Sequence, residues 1–226
     1  MKDSDSKEVA FMGRIMAGFT HEMKNVLAII KESGGLMEDL LSLVQEGSFA
    51  HKERFLRVLD KIREQVQRGV DLSTRLNRFA HSPDEPIATV DLNETANQVA
   101  MLAERFARLK GIVLKADPGN DRLDLVSSPV GIYMALFSGM ESCWNQMKAG
   151  SELKLLGEKR GNEVAVRMLP QGDFGDPGEF AAGVSQTEKW GVFLEIVASL
   201  GGKVEWSEDR AGFAVVFPSG EGLARS

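Results

Sequence analysis

Cysteine is almost absent from this chain of 226 residues: Cys143 stands alone. One cysteine excludes an intramolecular disulfide framework and fits a reducing compartment. Histidine is nearly as scarce, at 21, 51 and 81, and no pair has metal-ligand spacing, so no metal site is expected. No apolar run approaches the roughly 18 residues a membrane span needs. An excess of positive charge is also missing. Lys and Arg number 27 against 33 Asp and Glu, for a net charge of −6, which argues against nucleic acid as a partner. The polar, acidic start MKDSDSKEVA lacks the plan of a secretory signal or a transit peptide. A soluble cytoplasmic protein is expected. What is present is ordinary for a globular chain, 43% hydrophobic and 27% charged. The length suits one large domain or two small ones, with real cores.

The front third reads as two long helices. Met12, Met16, Phe19, Met23, Val26, Ile30, Met37, Leu40 and Val44 fall at steps of three and four, a seam with a period near 3.5. A second seam runs through Phe55, Leu59, Ile62, Val66, Val70, Leu76 and Phe79. The polar stretch EGSFAHKE connects them. A single hairpin makes a poor core, whereas two copies make a four-helix bundle, so the pattern predicts a homodimer. Packing of both helices on the rest of their own chain is the alternative. Gly34-Gly35 interrupts the first helix at a cost of roughly 1 kcal/mol per glycine, as a bend or as a break between two pieces.

The pattern changes at Ser82-Pro83-Asp84-Glu85-Pro86, which reads as a linker. A helix follows, capped by Asp91 or Asn93 and ending before Gly111. Strands are expected at 112–116, 153–156 and 164–168, and helices at 129–147 and 189–200. Gly201-Gly202 stops the last helix, and a hairpin of 204–206 with 213–217 closes the chain. This order suggests an α/β sandwich with helices on one sheet face.

His21 lies two residues past Phe19 and therefore off the centre of the seam. Its neighbours at helical offsets are Arg14, Ala17, Gly18, Lys24, Asn25 and Ala28, mostly small, so a partner's loop can approach. Glu22 can accept a proton from one ring nitrogen and leave the other as a nucleophile. Lys24 offers a positive charge to a phosphoryl group, and Asn25 can orient a water or a carboxylate. On spacing alone, an ordinary surface histidine among polar neighbours is the plainer reading.

The heptad His21-Glu22-Met23-Lys24-Asn25-Val26-Leu27 resembles the H-box of sensor histidine kinases, a phosphoacceptor histidine followed by an acid and, four positions on, by Asn or Thr. Colinear landmarks continue the resemblance: Arg68-Gly69, Leu72, Leu76 and Phe79-Ala80, then the linker and Val90-Asp91-Leu92-Asn93. Ile196 to Val204 and Gly212 to Pro218 are similar to that family's last helix and hairpin. The resemblance covers residues 8–218. It implies an α+β fold, with a helical hairpin over residues 1–82 that forms a dimeric four-helix bundle and carries the phosphotransfer histidine. Residues 83–226 are expected to form a kinase-ATPase-like α/β sandwich.

The chain departs from the family where that family binds ATP. At the magnesium-binding place of the helix Leu136–Asn145 stand Glu141 and Ser142, with Asn145 one turn displaced. After Val164-Ala165-Val166 no D-x-G-x-G follows. Asp173-Phe174-Gly175 matches the protein-kinase tripeptide only in its letters. Before the last helix, Thr187, Glu188, Lys189 and Trp190 replace the glycine-rich loop and only Gly191 survives, so β-carbons stand where phosphates would approach. Val26 stands where the family usually has proline, which implies a straighter helix below His21.

The resemblance thus implies a degenerate ATPase-like domain, no intrinsic cofactor, and a two-component phosphorelay role. A phosphoryl group would pass between His21 and the receiver domain of a response regulator, the receiver supplying Mg2+. Glu22, Lys24 and Asn25 would assist. An active kinase with a divergent ATP site, and a non-catalytic scaffold or response-regulator phosphatase, are the alternatives. Trp144, Trp190 and Trp206 are expected in the core or at interfaces. The basic residues of the second helix, interleaved with acids, are expected to form a solvated face.

Overall fold

The computed structural model describes residues 2–42, 51–117, 119 and 121–220. Val44 and most of the EGSFAHKE connection lie outside the described residues. The chain divides into two compact units, one of Gly13–Phe79 and one that joins the first turns of the first helix, up to Met12, to everything from Ala80 onward. The division after Phe79 falls three residues before the boundary expected at 82, and the turns before Gly13 group with the α/β unit instead of the hairpin.

The hairpin unit consists of α1 (Lys2–Ser42), from Gly13 on, and α2 (Lys52–Ala80). α1 runs unbroken through Gly34-Gly35. Its buried positions are Ile15, Gly18, Glu22, Val26, Ser33 and Leu40, whereas Met16 of the expected seam is 45% exposed. The packed face is therefore rotated about one position from the seam read off the sequence, because a straight helix repeats every 3.6 residues and drifts from a strict heptad. α2 brings Gly69 against α1. A β-carbon there would lie 3.4 Å from Val26 Cγ1, so the missing side chain sets how closely the helices approach. Met16, Leu27, Leu41, Leu56, Val66 and Val70 remain exposed.

The α/β unit contains β1 (Ala88–Asp91), α3 (Leu92–Arg108), β2 (Val113–Asp117), β3 (Asp124–Ser127), α4 (Pro129–Trp144), β4 (Glu152–Arg160), β5 (Glu163–Gln171), α5 (Pro177–Ser185), α6 (Glu188–Ser199), β6 (Lys203–Trp206) and β7 (Phe213–Pro218). Five strands form one sheet in the order β2-β4-β5-β7-β6, with β2 parallel to β4 and the other pairs antiparallel. β1 and β3 pair separately, and sequence reading missed both.

The helix starts of the α/β unit have local causes. Asp91 caps α3, accepting from the backbone N–H of Asn93 and Glu94. Ser128 caps α4 ahead of Pro129, and Asp176 caps α5 ahead of Pro177. Alternate sheet residues face the helices: Leu153, Leu155, Val164, Val166, Met168, Phe213, Val215 and Phe217 are all buried. Gly139 of α4 packs so close that a β-carbon would lie 2.8 Å from the Met168 methyl. Phe137 projects from α4 among Phe11, Phe106 and Trp144, with ring centroids at 5.4 to 5.7 Å. Cys143 is wholly buried in this core, and burial pushes its thiol pKa up, away from thiolate chemistry.

The opposite sheet face is lined by charged side chains. Ala165, Ala214 and Val216 lie there, yet they are buried under long charged side chains. Arg160 donates to Glu205 at 3.0 Å and to Glu158 at 2.9 Å, and Lys203 bonds Glu163 at 2.9 Å and Glu205 at 3.0 Å. The aliphatic stems cover the apolar plate while the charges pair with one another.

Candidate phosphoacceptor site and the remodelled nucleotide site

Helix α1 sets out the first candidate site. His21, Lys24 and Asn25 are exposed, and Glu22 is buried. Asn25 lies one turn beyond His21, and its Nδ2 is 3.4 Å from His21 Nδ1, a long contact on the solvent side. Ala17, Thr20, Lys24 and Ala28 are exposed around the ring, so no bulky neighbour blocks approach to it. Glu22 turns the other way. Its Oε2 accepts from Arg68 Nη2 of α2 at 3.0 Å, so the carboxylate expected beside the imidazole is held on the packed face. The physical reason is angular: a step of one residue rotates the side chain by about 100° around the helix. Arg68 is a residue that sequence reading singled out only as a landmark. Its partner is 46 residues away, and no local spacing announces such a pair.

The second candidate site is the end of the α/β unit where the family resemblance implies a nucleotide and magnesium. The residues there do not fit that group. Ser142 is buried, and its hydroxyl donates to the Ser138 carbonyl at 2.9 Å within α4. Glu141 accepts from Lys189 Nζ of α6 at 2.9 Å. β5 runs out through a buried Pro170, and from Val164 to the turn at Gly172 (φ +89°) it contributes no carboxylate. Asp173 pairs with Lys148 at 2.9 Å, and its carbonyl accepts from the Ser151 hydroxyl, so Asp173-Phe174-Gly175 is a loop tied to its own neighbours. The N-terminus of α6 is closed by Thr187, whose Oγ1 accepts from the Trp190 N–H at 3.1 Å. One amide of the kind that meets phosphates at helix N-termini is thereby used internally. Asn145 is exposed at the C-cap of α4. Among the described residues no group of three His, Cys, Asp or Glu side chains is arranged to hold a metal ion.

The aromatic residues of this end belong to the core. Trp190 stacks near Trp206 at 5.3 Å and meets Phe213 edge-on at 4.9 Å, while Trp144 sits apart with Phe137. No ring cage for a ligand results. Two basic residues of α2 form local pairs, Arg63 with Asp60 at 3.4 Å and Arg57 with Glu53 at 4.0 Å, as on a solvated helix face, while Arg68 reaches across to Glu22. No helix among the described residues is long and apolar enough to cross a membrane.

The chain's structural neighbours are histidine kinase transmitter and catalytic domains. The nucleotide-free catalytic domain of histidine kinase ThkA is 20% identical, with a TM-score of 0.47, over 60% of this chain and 98% of that one. Histidine kinase ThkA in complex with response regulator protein TrrA is 18% identical at a TM-score of 0.47, over 95% of this chain and 64% of that one. Acinetobacter baumannii histidine kinase AdeS is 14% identical at a TM-score of 0.42, over 88% and 98%. No protein-family model matches the chain, and no curated protein matches it.

Proposed function

We propose that the protein is a two-component phosphorelay component that carries a phosphoryl group on His21, to or from the receiver domain of a response regulator, without using ATP itself. The observation that carries this reading is His21 itself: an imidazole exposed on an open stripe of α1, with Asn25 one turn away and within 3.4 Å of Nδ1. Histidine kinase-like motifs extending from the H-box to the closing hairpin support it.

Transfer from a receiver needs the Nε2 lone pair free and the ring proton on Nδ1. Turned about its amide axis so that Oδ1 takes the place of Nδ2 beside the ring, Asn25 would accept from Nδ1–H and hold that tautomer. Nε2 attacks phosphorus in line, the N–P bond forms, and the P–O bond to the receiver's aspartyl carboxylate breaks. The carboxylate departs with the electron pair, and the Nδ1 proton passes to solvent, since Glu22 is turned to the packed face and engaged by Arg68. Lys24 offsets charge on the phosphoryl oxygens, and the receiver supplies Mg2+. Reversal of these steps phosphorylates a second receiver.

The exposed stripe of Met16, Leu27, Leu41, Leu56, Val66 and Val70 supports a homodimer built as a four-helix bundle. The scarcity of cysteine supports a cytoplasmic location.

The test is incubation of the purified protein with a phosphorylated receiver, and separately with γ-labelled ATP and Mg2+. Acid-labile, base-stable label is expected from the receiver only, and none on His21→Ala. Label from ATP alone would make the chain a kinase. Loss of phosphate from the receiver with nothing trapped on His21 would make it a phosphatase.

A further inference from the structure

Strand β2 lies at one end of the five-stranded sheet, and among the described residues no strand pairs with its outer edge. Its Val113 N–H donates to the Ser151 carbonyl, toward β4, at 3.0 Å. Hydrogen-bonding direction alternates along a strand, so the N–H and C=O groups of Leu114 and Ala116 point to the open edge. The side chains of Leu114 and Ala116, with Ala100 and Met101 of α3, line a cleft of 430 Å³ between the helix and this edge. Val113, at the start of the same edge, is 52% exposed.

The charges around the cleft divide into settled and unsettled. Lys115 pairs with Glu152 at 2.5 Å, and Lys154 with Asp117 at 2.9 Å. Asn97 and Glu104 lie one turn to either side of Met101 on α3, and their side chains hold no hydrogen bond or ion pair among the described residues. The cleft thus combines unpaired backbone groups, an apolar floor, a carboxamide and one uncompensated carboxylate. A strand edge is satisfied by another strand, and a groove beside it takes alternate side chains of that strand. A second copy of this chain would bring its own α3 and a second Glu104 to the same seam, like charge against like. A peptide segment brings neither.

We propose that the cleft between α3 and β2 docks an extended peptide segment of another protein. The segment adds to β2 as a new edge strand, with apolar residues at every second position and a lysine or arginine facing Glu104. The residues involved are none of those assigned to phosphotransfer, and the test moves no phosphoryl group.

Selection of a random peptide library on the immobilised full chain tests it, followed by titration of the enriched peptides. These should share alternating apolar residues and a Lys or Arg, and their binding should protect the Leu114 and Ala116 amides from hydrogen exchange. Glu104→Arg should weaken binding about fivefold, the scale of an exposed ion pair. A peptide with Glu in place of its basic residue should bind Glu104→Arg better than it binds wild type. Ala116→Pro removes an edge N–H and should weaken binding about tenfold or more. A library with no enriched peptide overturns the proposal, as does binding that survives both variants. Sedimentation in which Ala116→Pro lowers self-association gives the edge to a second copy and overturns it too. Should Ala116→Pro fail to fold, the charge exchange at Glu104, an exposed helix position, decides.

Discussion

Arg68 on α2 reaches the carboxylate of Glu22 on α1 at 3.0 Å, one residue along the chain from the exposed His21. The pair is asymmetric. The Glu22 side chain is 10% exposed and that of Arg68 42%, so the carboxylate has given up more of its hydration and depends more on its partner. Arg68→Ala should therefore lower stability by about 1.5–3 kcal/mol, the range for hydrogen bonds to charged groups. Glu22→Gln should cost less, since its amide oxygen still accepts from Arg68. Urea denaturation at one fixed protein concentration checks both, and a wild-type midpoint for Arg68→Ala would remove the pair from the hairpin's stability.

A different constraint operates where α3 crosses β4. A β-carbon on Gly157 would lie 1.6 Å from Asn93 Oδ1, so alanine cannot be placed there without moving the carboxamide. Asn93 is buried, and its Nδ2 donates to the Asp121 carbonyl at 2.7 Å, which resists that movement. Gly157→Ala should destabilise by about 1–3 kcal/mol, the usual cost of overpacking. Combined with Asn93→Ala it should cost clearly less than the sum of the two single changes. Strict additivity in a denaturation series would show that the two residues do not share this space.

The charged layer over the sheet makes a pH prediction. Glu205 titrates below its ordinary value because Lys203, first through a hydrogen bond and then by charge, and Arg160 favour the carboxylate. A carboxylate whose folded value is depressed stabilises the fold above its unfolded value, near 4.5, and loses that contribution as pH falls through the depressed one. Glu205→Gln should thus be slightly less stable than wild type at pH 7, and the difference should shrink below pH of about 4. The effect is small because Glu205 is 41% exposed and solvent screens it. Thermal midpoints measured from pH 7 down to about 3 test the slope, and parallel curves would contradict it.

Much of this architecture was legible in the sequence because its causes are local. Two helical seams, the Ser82–Pro86 break, the strands around Val164 and Phe213, and the Gly201 stop all announce themselves within a few residues. The N-cap of α5 in Asp176-Pro177 is a local signal too, but Gly172, Gly175 and Gly178 around it give the stretch the pattern of a loop. β1 and β3 escaped because each is four residues long and is defined by the other across more than thirty positions of chain. At the sites the division is the same. His21, Lys24 and Asn25 share a helix and could be placed by spacing. Arg68 on Glu22 and Lys189 on Glu141 are contacts between elements 46 and 48 residues apart, and only tertiary packing brings them together.

Gly34 and Gly35 give α1 a mechanical character that its continuous hydrogen bonding conceals. A β-carbon at either position would meet nothing within 4 Å, so no neighbour requires a glycine there. Two adjacent residues with maximal backbone freedom therefore sit together here, whereas Gly13 and Gly18 stand singly earlier in the helix. They lie about 20 Å along the axis from His21, at 1.5 Å per residue. Bending and winding imposed on this helix will concentrate at the glycine pair before reaching the segment that presents the imidazole. The rod is most compliant at the paired glycines, nearly four turns beyond the imidazole.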